Sequence, residues 1–89
     1  MNQSWANRLQ FLSIRHAEAC LNYDRAVTNA FQAKERGNMA PSEVRKALLA
    51  IARAKRVMEE SHAELVGFVD ALAGQQFMEA LSDEQEGAA

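Results

Sequence analysis

At 89 residues the chain has room for one small domain with a thin hydrophobic core, which excludes a second domain and makes self-association the expected source of extra support. Its single cysteine, Cys20, excludes an internal disulfide framework and, with no other redox signal, fits a reducing interior. Ten basic residues against twelve acidic ones leave a net charge of −2, too small to favour or exclude nucleic acid until the charges are placed along the chain.

The opening residues, MNQSWANRLQF, have neither the basic start nor the continuous apolar run of a secretion signal. No later run is long enough to span a bilayer, so the expected location is the cytoplasm, away from membranes. The first element is a helix over about residues 4–36, because Trp5, Leu9, Leu12, His16, Ala19, Tyr23, Ala26, Ala30 and Ala33 recur at alternating gaps of four and three. Gly37 and Asn38 can take left-handed conformations that end it, and Pro41 belongs in the first turn of the next helix. A turn this tight makes the neighbours antiparallel.

The second helix, over about residues 41–73, carries a seam of the same rhythm: Val44, Leu48, Ile51, Lys55, Met58, His62, Leu65, Val69 and Leu72. Gly74 is expected to close it. QQFMEAL then forms a short helix over about 75–82, with Phe77, Met78 and Leu81 facing inward, and residues 83–89 form an acidic flexible tail. The fold class is therefore all-α: an antiparallel two-helix hairpin with a short C-terminal helix, one domain over residues 1–82, paired into a dimeric helical bundle. Folding the hairpin at its turn sets His16 beside His62 and Tyr23 near Lys55, whose stem is expected to pack while its ammonium reaches water.

Beyond these seams lies a second apolar surface. Phe11, Ile14 and Leu21 stand roughly opposite the first seam, and Ala50, Val57 and Phe68 widen the apolar arc of the second helix. One hairpin cannot bury all of it, and each large side chain left in water forgoes about 1.5–3 kcal/mol. A homodimeric four-helix bundle, coverage by the C-terminal segment, or a different protein would relieve that exposure. Phe11, Ile14, Leu21, Val57 and Phe68 are the expected partner contacts.

His16, Cys20, Glu59 and His62 are metal-ligand types at one-turn spacings, but without a recognised motif a polar layer that fixes register is the simpler reading, with a layer that acid loosens as the alternative, and no metal or other cofactor is expected. Lys34, Arg36, Arg45, Lys46, Arg53, Lys55 and Arg56 gather around the turn, whereas no Lys or Arg follows Arg56 and the remaining charges are acidic. Arg36, Arg45, Lys46, Arg53 and Arg56 are thus the candidate contacts to an anionic partner. No aromatics interleave with them as a single-strand binder would want, which makes nucleic acid the second choice. A phosphate loop, nucleophile elbow or carboxylate pair with a plausible pocket is not to be found, so no enzyme is expected.

The stretch from Leu21 to Glu60 resembles the helical pair of flagellar export chaperones of the FliS type in Tyr23-Asp24-Arg25-Ala26, Gln32-Ala33-Lys34 and Ala52-Arg53-Ala54-Lys55. That resemblance implies a hairpin covering an apolar helix of a partner. The expected function is a small interaction module acting as adaptor, chaperone or inhibitor, a class that takes in phage-encoded regulators. Its expected partners are a second copy and another protein.

Overall fold

A computed structural model describes the backbone of residues 3–87 and the side chains of residues 4–82. Its two elements are α1 (Gln3–Glu35) and α2 (Pro41–Gly87), packed as a hairpin within a rod of 76 × 18 × 16 Å. No residue of α1 is Gly or Pro, so nothing in its backbone interrupts the intrahelical ladder. Gly37, at φ 79°, supplies the left-handed residue past the end of α1, and its N–H donates to the Lys34 carbonyl at 3.1 Å. Ala40 caps α2 by accepting from the N–H groups of Glu43 and Val44, with Pro41 at the first helical position.

The covered stripe of α1 is the expected one. Trp5, Leu9, Leu12, His16, Ala19, Tyr23, Ala26, Ala30 and Ala33 are all buried or half-buried, Leu12 and Ala19 most completely. On α2 the expected stripe is only half right. Ile51, Met58, Leu65 and Leu72 are covered as anticipated, but Ala47, Ala54, Ser61 and Phe68 complete the stripe in place of Leu48, Lys55, His62 and Val69. Val44, expected at its head, is also exposed. Both sets keep the three-four rhythm and differ by one residue at every second position. The set that wins contains no charged side chain, and its small Ala47, Ala54 and Ser61 let the helices approach closely. Seating Lys55 in the interface would have meant desolvating an ammonium. Lys55 instead stands exposed, 3.9 Å from Glu59.

Gly74 does not end α2, and the short helix expected over residues 75–82 is a continuation of the same rod. The only positive φ among the described residues belongs to Gly37, so Gly74 keeps a right-handed conformation between good helix formers. A Cβ at position 74 would meet nothing within 4 Å. Gly74→Ala should therefore raise stability by about 0.5–1 kcal/mol in chemical denaturation. A loss of stability would mean that the glycine marks a real break. The helix also takes in residues 83–87 of the segment expected as a tail, while residues 88–89 lie outside the described residues.

Packing sets the helices in register with His16 opposite Ser61 and Arg15 opposite Glu64. Counting back along α1 from there brings Gln3 level with a point just beyond Gly74 on α2. About twelve residues of α2, roughly 18 Å, extend past that level. Phe77, Met78 and Leu81, expected to face inward, lie on this overhang and are exposed, Phe77 and Met78 by 65% and 63%.

Candidate functional site

A hydrogen-bonded layer crosses the middle of the interface. Ser61, the one fully buried polar residue among those described, donates from its hydroxyl to the Met58 carbonyl at 2.9 Å. That leaves its oxygen to accept the Nδ1–H of His16 at 3.1 Å. With the proton on Nδ1, His16 Nε2 is free to accept the Cys20 thiol at 3.6 Å, and this assignment of protons satisfies every member of the chain. His62 adds its ring, 5.2 Å from that of His16 and tilted by 45°, from the exposed flank of α2. The two histidines meet as the sequence suggested, but the partner that fixes His16 is Ser61, one residue earlier on the helix.

The layer opens on one side into an apolar groove of about 290 Å³ lined by His16, Cys20, Met58, Glu59 and His62. A second groove of about 460 Å³ lies at the turn end, between Ala30 and Lys34 on α1, Met39 in the turn, and Val44 and Leu48 on α2. Leu48 and His62 are two heptads apart, so both grooves occupy the same side of the hairpin. On the opposite side the Arg15 guanidinium meets the Glu64 carboxylate at 2.7 Å. Both side chains of that pair are over two-fifths exposed, which limits its contribution to about 1 kcal/mol or less. Among the described residues, no group of three or more His, Cys, Asp or Glu side chains is placed to hold a metal ion.

The five expected partner contacts do not form one patch. Phe11, Ile14 and Leu21 are about half exposed along the outer face of α1, with the Arg8 guanidinium 5.6 Å from the Phe11 ring centre. Val57 is exposed on the Glu64 flank of α2, level with Leu21. Phe68 is half-buried in the covered stripe. Exposed Phe31, Leu49 and Val66 escaped the sequence reading because they lie outside both stripes considered.

Arg36, Arg45, Lys46, Arg53 and Arg56 are all exposed. Lys46 and Arg53, one heptad apart, stand on the Glu64 flank of α2, and Arg56 is engaged with Glu60 at 3.0 Å. No described helix is long and apolar enough to cross a membrane. No family model matches the chain, and neither a curated protein nor a solved structure matches it. The likeness to flagellar export chaperones therefore stays confined to the residues that suggest it.

Proposed function

We propose that this protein is a small helical interaction module that pairs with itself and docks the outer apolar face of α1 on another protein, as an adaptor, chaperone or inhibitor does. The observation carrying this reading is the exposure of Phe11, Ile14 and Leu21, at 55%, 51% and 55%, on a helix whose opposite face is already occupied by α2. Three large side chains held in water on one face forgo several kcal/mol of burial in total, a sizeable fraction of what holds so small a domain folded. An amphipathic helix or groove on a partner would recover it.

The test is capture of partners from the native cell followed by cross-linking to the purified complex. Phe11→Glu places a carboxylate on this face while leaving the hairpin interface untouched. It should weaken capture at least tenfold with the helical signal unchanged. Wild-type complex should also persist as salt rises, because apolar docking is insensitive to screening. A complex indifferent to Phe11→Glu, but lost steeply with salt and with Arg45→Glu/Arg53→Glu, would replace this reading with a phosphate-bearing partner held by the basic stripe of α2.

A further inference from the structure

Two ends of the molecule are complementary to each other and lie too far apart to meet within one chain. At one end, α2 outruns α1 and leaves Phe77 and Met78 uncovered beside Glu79. At the other, the 460 Å³ groove is lined by apolar side chains and rimmed by Lys34, and close by in sequence Arg36, Arg45 and Lys46 outnumber Glu35 and Glu43. Between them, past Glu43 in its first turn, the charge on α2 changes sign once: Arg45, Lys46, Arg53, Lys55 and Arg56 give way to Glu59, Glu60, Glu64, Asp70 and Glu79. That changeover falls beside Met58, which is also the midpoint of the exposed and half-covered apolar positions running from Val44 to Leu72.

We propose that a second copy packs antiparallel on the grooved side of the hairpin, about a two-fold axis passing beside Met58, so that the overhang of each copy lies along the turn-end groove of the other. Such an axis brings position 72 level with position 44 of the second copy, and position 77 level with position 39. Phe77 then reaches the groove floored by Met39 and Val44, and Glu79 and Asp70 approach the basic rim. Both ends are covered by one operation, the closed isologous geometry that two-fold symmetry requires. A parallel pair would set basic turn on basic turn and acidic end on acidic end, with overhang beside overhang and neither turn-end groove filled. The inference rests on the reading of this chain as self-pairing and adds the face, the direction and the axis. It leaves the Phe11, Ile14 and Leu21 face outside the dimer and open.

Sedimentation equilibrium gives the oligomeric state, and pulsed dipolar spectroscopy on full-length Cys20→Ser/Ser42→Cys protein, spin-labelled at position 42, gives the direction. Antiparallel copies hold their labels about 50 Å apart, since 32 residues of helix separate position 42 from its symmetry-related level; parallel copies hold them within about 25 Å. Lys34→Glu/Arg45→Glu and, separately, Asp70→Lys/Glu79→Lys should each weaken self-association about tenfold, and an equimolar mixture of the two should recover wild-type affinity. In a parallel pair neither reversal would add repulsion between like ends. A dimer with the short label distance overturns the antiparallel assignment while leaving self-pairing intact. A monomer across the micromolar range overturns both.

Discussion

Leu12→Ala should cost about 2–5 kcal/mol, the largest loss among truncations of the hairpin. Leu12 is 2% exposed and is the only large apolar side chain fully buried among those described, so its removal leaves a void in the most completely covered part of the interface. In a domain this small that loss is comparable to the whole margin of stability. Urea denaturation followed by circular dichroism, at fixed protein concentration because self-pairing would shift the midpoint, measures it. Leu49→Ala is the matched control: Leu49 is 48% exposed on the outer face of α2, and its truncation should cost under about 1 kcal/mol. Equal losses for the two variants would place the core elsewhere.

The second large effect separates the two ways of seating α2. Ser61→Leu inserts a branched side chain where the hydroxyl sits 3.1 Å from the His16 ring, overpacking the interface at a cost of about 1–3 kcal/mol. It also strands the Nδ1–H of His16 beside an apolar group, a loss of similar size. His62→Leu, one residue later but on the exposed flank, should change stability by about 0.5 kcal/mol or less. The reverse order would mean that His62 faces α1 and that the seam runs through Lys55 after all. Both variants can be measured in the same denaturation series, with the His16 ring resonances reporting whether its partner has been lost.

The hairpin, its turn and the main covered stripe of α1 were legible in the sequence because apolar residues recur there at the seam rhythm, though half-buried Val27 lies beside that stripe and was missed. On α2 two sets satisfy the rhythm, sharing Ile51, Met58, Leu65 and Leu72, and bulk does not separate them, since Leu48 outweighs Ala47 but Phe68 outweighs Val69. The better guide was charge: one set buries Lys55, the other buries none. That single choice decides whether the grooved side exists, since Leu48 and His62 line grooves only when Ala47 and Ser61 face α1. Gly74 misled for a different reason. Glycine ends a helix when the chain must turn left-handed there, as at Gly37, and otherwise only weakens it. Reading Gly74 as a stop hid the overhang, because inward-facing Phe77 and Met78 presuppose a chain that folds back.

Where the burial lies along the hairpin also bears on how the chain reaches this structure. Apart from half-buried Met39, the layers nearest the turn are built from Ala30, Ala33 and Ala47, which offer little apolar area, while fully buried Leu12, Ala19 and Ser61 lie far from it. The His16 to Ser61 bond closes 45 residues of chain. Zipping outward from the turn therefore gathers almost no reward until most of the loop entropy has been spent. A half-closed hairpin has little to hold it, so the two rods should come together in one cooperative step.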